Sequence, residues 1–202
     1  MRSAGRLLPA AAVALMAACG SVTDSSSDLS DALMVELPGY VSAAPRTTPE
    51  TLCDGDPSGG GPPPPVLSGE LGTAAAVFYE TAPATLEAYA WRASAEAAEQ
   101  FVNDAKSAAS GCDVELFTDA DTDGDGAFDA GISDVQSAEP WSGSGWEGVR
   151  IHRVVSGQEQ TDRRLVYADD VVLLVVLRAD TDDETDTAVV DDYLAAVTAN
   201  LG

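Results

Sequence analysis

The chain has 202 residues, of which 34 are acidic and 10 basic, for a formal net charge of −24, and 45% are hydrophobic. A field of that sign repels phosphate backbones and anionic headgroups, which excludes nucleic-acid binding, and it favours cations and solubility. The length suits one domain with a single core once an N-terminal leader is set aside.

That leader reads MRSAGRLLPAAAVALMAACGS. Arg2 and Arg6 make a positive n-region, and residues 7–18 form an apolar run of twelve. A helix so short does not span a hydrocarbon core of about 30 Å. Residues 1–18 therefore predict a secretory signal peptide. Met16-Ala17-Ala18-Cys19 resembles the lipobox of bacterial lipoproteins, with Met16 where an aliphatic residue usually stands. The resemblance implies cleavage before Cys19, acylation of its thiol, and a lipid anchor on the extracytoplasmic face of the cell membrane. Two or three acyl chains hold stably, at about 0.8 kcal/mol per buried methylene. The alternative is plain secretion with Cys19 free. Residues 19–28 are small and polar and predict a tether, which leaves 29–202 as the domain.

A short helix is predicted over 29–37, ending before Pro38-Gly39. Residues 41–72 read mainly as loop, with PSGGGPPPPV at 57–66 as an exposed polyproline excursion. Two strands follow, 73–81 and 84–93. In the second, Leu86, Ala88 and Ala90 face one side, and Glu87, Tyr89 and Trp91 the other. Ser94 then caps a helix that buries Ala98, Phe101, Val102, Ala105 and Ala109 and stops at Gly111. Strands are predicted over 113–117, 132–138, 148–155 and 163–167, with Asp169-Asp170 turning the last into 171–178. That final run is almost wholly apolar, so it predicts a central strand covered on both faces. From about Asp183 an amphipathic helix places Val189, Val190, Tyr193, Leu194, Val197 and Leu201 on one stripe. Asp182, Asp183, Glu184 and Asp186 stand at its positive dipole end. Strand pair, helix, several strands, helix: the order predicts α+β; antiparallel sheet flanked by one long internal helix and a C-terminal helix.

If Cys19 is acylated, Cys53 and Cys112 remain, an even pair in an oxidising compartment, and predict a disulfide. Closing that loop would stabilise by up to roughly 4 kcal/mol on the chain-entropy model. The other reading is two buried thiols.

Residues 119–131, DADTDGDGAFDAG, follow the front of an EF-hand-type calcium loop. Asp121, Asp123, Asp125 and Asp129 fall where ligands belong, with Gly126 at the sharp turn. Asp119 opens a second register. Alternating carboxylates can aim several oxygens at one cation. The closing position, normally a bidentate Glu, is Ile132 or Ala130, with Asp134 near enough to substitute. Calcium binding and a merely solvated acidic loop both stay open; no other cofactor is expected.

Trp141 and Trp146 bracket a Ser-Gly-Ser-Gly segment read as a flexible loop. With Arg150, His152 and Arg153 downstream they form the candidate site for a sugar or peptide ligand. Alternatively, the tryptophans cover the sheet and the arginines pair with carboxylates. No catalytic residue is assigned. His152 is the sole histidine, and no G-x-S-x-G surrounds any serine.

Leu37-Pro38-Gly39-Tyr40, the helix Ala97-Ala98-Glu99-Gln100-Phe101 and its closing Gly111-Cys112 resemble a group of actinobacterial lipoproteins and the PknH-like extracellular sensor domain. The resemblance spans most of 29–202. It implies an extracytoplasmic sensing or binding domain of unknown ligand, small molecule, polymer or protein, built on an antiparallel sheet with flanking helices. Two departures stand out: that sensor domain has two disulfides where this chain allows one, and no kinase is attached here. The expected function is a membrane-anchored, non-enzymatic sensor or ligand-binding lipoprotein. The competing functions are a cell-envelope hydrolase and a calcium-binding structural surface lipoprotein. His152, an acid and a serine meeting in one deep pocket would favour the hydrolase.

Overall fold

A computed structural model describes residues 25–43, 51–54, 75–81, 83–120, 130–179 and 186–202. The described strands are β1 (Val41–Ser42), β2 (Ala75–Thr81), β3 (Ala84–Arg92), β4 (Val114–Ala120), β5 (Ala130–Gly143), β6 (Trp146–Val155), β7 (Gln158–Ala168) and β8 (Val171–Ala179). They form one eight-stranded sheet in the order β1-β2-β3-β8-β7-β6-β5-β4, and every pairing is antiparallel. Helices α1 (Ser25–Leu33) and α3 (Ala188–Leu201) cover one face, and α2 (Ala95–Ala108) covers the other. This is the α+β arrangement read from the sequence. Among the described residues no helix is long and apolar enough to cross a membrane.

β8 lies between β3 and β7, and Val171 to Leu177 are all buried. Val171, Leu173, Val175 and Leu177 join the α1/α3 core, while Val172, Leu174 and Val176 join the α2 core. β3 divides in the same way: Leu86, Ala88 and Ala90 on one side, Tyr89 and Trp91 on the other. Strand alternation alone produces both sets.

Ser94 caps α2 by accepting the Ala97 N–H, and a 3₁₀ turn over Ala109–Cys112 ends it. α1 begins four residues earlier than predicted, inside the segment read as tether, and stops at Leu33. Three polar side chains from distant elements terminate it. Tyr79 and Tyr193 donate their hydroxyls to the Leu33 carbonyl, each at 3.1 Å, and Asn200 donates to Ala32 O at 3.1 Å. These satisfy carbonyls that a helix end leaves without a partner. Leu37-Pro38-Gly39-Tyr40 then turns tightly, with Gly39 at φ +84° and Tyr40 N–H on Leu37 O at 3.1 Å. Glycine fits there because that φ crowds a Cβ.

β5 and β7 are longer than predicted. β5 runs through Pro140 because β4 reaches only Gln136, so the missing proline N–H meets no neighbouring strand. The Ser-Gly-Ser-Gly segment is no flexible loop. Ser142 and Gly143 belong to β5, and Ser144-Gly145 is a two-residue hairpin turn with φ of 52° and 87°, the pair of positive values that a type I′ turn requires. α3 begins at Ala188 rather than near Asp183. Asp186 lies just before it and accepts the Ala188 N–H at 3.1 Å; Asp182, Asp183 and Glu184 lie outside the described residues.

Candidate functional site

β7 is the most charged of the central strands, and alternation sends its charges to opposite faces. Asp162 and Arg164 point to the α3 side. Arg164 donates Nε to both Asp162 oxygens, at 3.3 and 3.2 Å, and Nη2 to Oδ2 at 2.8 Å. Its Nη1 reaches Asp191 in the first turn of α3, and its guanidinium carbon lies 4.6 Å from the Trp141 ring centroid. Arg150, across on β6, donates to Asp162 at 3.1 Å, Glu159 at 2.5 Å and Glu139 at 3.5 Å. Burial opposes its charge, but the three carboxylates outweigh burial and raise its already high pKa. Burial, helped by Asp162 and opposed by Arg150, leaves the Glu159 carboxyl above its ordinary range.

Beside this lattice the register sets Ser137 opposite His152. Ser137 Oγ lies 2.7 Å from His152 Nε2, and His152 Nδ1 lies 3.8 Å from Glu159 Oε1. Serine, histidine and carboxylate thus stand in the order of a hydrolytic triad. The geometry does not complete one. The histidine–glutamate separation exceeds a hydrogen bond, and Arg150 already holds that carboxylate. The amide following the serine, which helps form the oxyanion hole in nucleophile-elbow enzymes, is given to Asp113: Ala138 N–H donates to its Oδ1 at 3.0 Å. Ser137 also sits within a strand rather than on a strained turn.

On the opposite face Cys53 and Cys112 are disulfide-bonded, with Cα atoms 5.8 Å apart. The bridged segment is also pinned non-covalently. Arg163 donates to Leu52 O at 2.9 Å and to Asp54 Oδ1 at 3.0 Å. Gln136 donates to Asp54 O at 3.0 Å and Cys112 O at 2.8 Å, and accepts Asp54 N–H at 3.3 Å. Burial pushes the Asp54 carboxyl up, but Arg163, with Arg178 and Arg153 behind it, holds it below its ordinary value. Burial lowers the Arg163 pKa despite Asp54. The guanidinium stays charged at physiological pH regardless, so the Asp54 shift is the one with consequences. Arg178 pairs with Glu87 at 3.3 Å. Arg153 grips Asp134 at two points, 2.8 and 2.6 Å.

The predicted ligand set is therefore split. Trp141, Arg150 and His152 share the α3 face, whereas Arg153 lies on the α2 face. Trp146 is not a ligand platform: it is buried, and its Nε1 donates to Thr198 Oγ1 at 2.7 Å and Leu194 O at 3.3 Å. Of the candidate calcium ligands, Asp119 is placed in β4 opposite Gly131, while Asp121, Asp123, Asp125 and Asp129 lie outside the described residues. Asp134, the substitute closing ligand, is already engaged by Arg153. Cys19 also lies outside the described residues.

Two of the cavities between described elements bear on the site. One of about 270 Å³ separates the β7–β8 turn from the end of α3, where Arg92 and Asp170 pair at 3.3 Å. The other, about 110 Å³, lies between the segment after α1 and α3. Neither is lined by Ser137 or His152. No protein-family model matches the chain, and no curated protein is significantly similar to it. Residues that the sequence did not single out hold the site together: Asp162 beneath α3 on one face, and Asp54 and Gln136 around the disulfide on the other. The one signal was the Asp-Arg-Arg run in a strand, which had to place charge on both faces.

Proposed function

We propose that this protein is a lipid-anchored extracytoplasmic lipoprotein whose domain works as a non-enzymatic sensor or ligand-binding module, similar to the PknH-like extracellular sensor domain. The observation that carries the reading is the Cys53–Cys112 bridge. It suits an oxidising compartment and leaves Cys19 as the odd thiol, at the position where a lipobox is cut. Two acyl chains on Cys19 would then hold the chain at the membrane. Cys19→Ser in the native host is the test. The variant should move from the membrane fraction to the medium. An unmodified, soluble mature N-terminus in the unaltered protein would sink the reading.

A hydrolase remains the second reading because Ser137 and His152 meet at 2.7 Å. The engaged Ala138 amide speaks against it, since a developing oxyanion would lack that donor. A fluorophosphonate probe should therefore leave Ser137 unlabelled. Labelling that Ser137→Ala abolishes would instead establish an activated serine.

A further inference from the structure

On the α2 face the register sets Arg178, Thr161, Arg153 and Gln136 side by side on β8, β7, β6 and β5, and Arg163 follows two residues after Thr161. The chain has 10 basic residues against 34 acidic ones, yet Arg153, Arg163 and Arg178 gather here. All three charges act on the Asp54 carboxyl. Among the described residues it takes a hydrogen bond from Arg163 alone, Nη2 to Oδ1 at 3.0 Å. Arg178 is held by Glu87 and Arg153 by Asp134. With Asp54 turned inward, those three cations face the carboxylates of Asp54, Glu87 and Asp134; with it turned outward, one positive charge is left over.

Arg163 is 2% exposed, and its Nε is a buried donor that no acceptor among the described residues meets. Its Nη1 is engaged by Leu52 O at 2.9 Å. In a planar guanidinium the Nε hydrogen points the same way as one Nη2 hydrogen, and together they match the two oxygens of a carboxylate. Asp54 reaches only the Nη2 atom of that edge. An unmet buried donor is costly, and a group that meets it offsets the cost. The Asp54 backbone is fixed by the neighbouring Cys53–Cys112 bridge and by Gln136, which bonds both its N–H and its carbonyl. Its side chain is 39% exposed, so the carboxyl can turn to solvent without moving the segment.

We propose that Asp54 is a resident stand-in for an external carboxylate. Turned outward, it opens a site where a carboxylate of a small organic acid sits side-on against Arg163 Nε and Nη2, flanked by Arg178 and Arg153. The proposal deepens the ligand-binding reading and rests on it. The vacated space is that of one carboxylate and its methylene, so the rest of the ligand lies in solvent. Carboxylate suits the site better than phosphate: one negative charge restores the balance and two oxygens match two donors, whereas a second charge adds to a net −24.

Sodium acetate can be titrated into the intact, disulfide-bonded protein while the Arg163 Nε–H resonance and thermal melts are followed. Methylphosphonate, ethylamine and sodium chloride at matched ionic strength are the other arms. Acetate should move the Arg163 Nε–H signal saturably in the unaltered protein, and the other three should not. In Asp54→Ala the stand-in is gone. If the carboxyl is turned out about a tenth of the time, acetate should bind that variant about tenfold more tightly and raise its Tm where chloride does not. Asp54→Asn, which keeps the shape and drops the charge, serves if the alanine variant does not fold. Arg163→Lys keeps the charge without the two-donor edge, and should lose the preference for acetate over methylphosphonate. Acetate rescue of Asp54→Ala with no response in the unaltered protein would reduce the cluster to an internal ion pair and overturn the proposal. So would equal shifts from acetate, methylphosphonate and chloride, the mark of screening. Either outcome leaves envelope anchoring, tested at Cys19, untouched.

Discussion

Arg163 and Arg164 are neighbours in β7 and equally buried, each 2% exposed, yet they fasten different parts of the chain on opposite faces. Arg164 is paired with Asp162, which is two residues away on the same strand and fully buried, and through Asp191 it ties the sheet to α3. Arg163 is paired with Asp54, which is 39% exposed and belongs to a segment that the disulfide also holds. In the first case neither charge can reach water if the other is lost. In the second the acid can turn outward and the bridge keeps its loop in place. A buried ion pair is thus structural in proportion to how little its partner can relax. Burial of the arginine alone does not decide it.

The largest effect should come from Arg164→Met. Among the described residues it leaves the buried Asp162 carboxylate only the Arg150 Nε contact at 3.1 Å. Breaking such a pair costs about 3–5 kcal/mol, a fall in Tm of roughly 10 °C or more for a domain this size. Adding Asp162→Leu should recover much of that loss, because it removes the stranded charge. Arg163→Met should cost less, about 1–2 kcal/mol. Equal losses at the two positions in urea melts would break the comparison.

Next comes the covalent link. Replacing Cys53 and Cys112 with serine opens a loop with a sequence separation of 59 and should destabilise by about 2–4 kcal/mol. It also sharpens the contrast. With the segment free, Arg163→Met should cost less than in the bridged protein, so the double-mutant cycle should show coupling. The same cycle with Arg164→Met should be close to additive, since its partners lie on the other face.

A smaller, pH-dependent effect separates the faces again. Asp54 is depressed in the folded chain, so its stabilisation is complete above the unfolded carboxyl value of about 4 and is lost as pH falls through its folded value. Glu159 is raised and has the opposite sign: its contribution is present below the unfolded value of about 4.3 and is lost as pH rises through the folded one. Asp54→Asn should flatten the acid limb of stability against pH, and Glu159→Gln should leave that limb in place. A limb unchanged by Asp54→Asn would mean that Arg163 does not stabilise that carboxylate.

The parts of the fold that follow from alternation or from a local cap were legible in the sequence. β3 and β8 showed their two faces residue by residue, and Ser94 announced α2. Elements whose ends depend on distant partners were not. α1 stops at Leu33 because Tyr79, Tyr193 and Asn200 take its carbonyls, and α3 starts at Ala188 although acids precede it. Buried polar residues gave no local signal for the same reason. Cross-sheet register and α3 enclose Asp162 and Arg164, and the bridged segment on the other face encloses Gln136. Trp146 looked like a ligand platform beside glycines because a two-residue hairpin and a flexible loop share that composition, and only the fold supplies Thr198 to its Nε1. The ligand set Trp141, Arg150, His152 and Arg153 failed as a unit because sequence proximity in a strand places alternate residues on opposite faces.

The smallest effect should be that of calcium on the β4–β5 connection, which the register closes at Ala120 opposite Ala130. Strands flank it on both sides, so no entering helix orients its carbonyls as in an EF-hand. Neither register of the acidic motif has a carboxylate at the closing position, and Asp134 is held at two points by Arg153. Releasing Asp134 to a cation would strand a partly buried guanidinium, which opposes coordination. A site with a Kd of about 0.1 mM would add roughly 2.7 kcal/mol at 10 mM calcium, several degrees in Tm. The expected shift is instead no larger than magnesium gives at matched ionic strength, the signature of charge screening in an acidic chain. An excess shift specific to calcium and abolished by Asp121→Asn with Asp125→Asn would prove the loop a site. If Arg153→Gln were to create such a shift where the native chain shows none, the Asp134 pairing would be identified as what keeps calcium out.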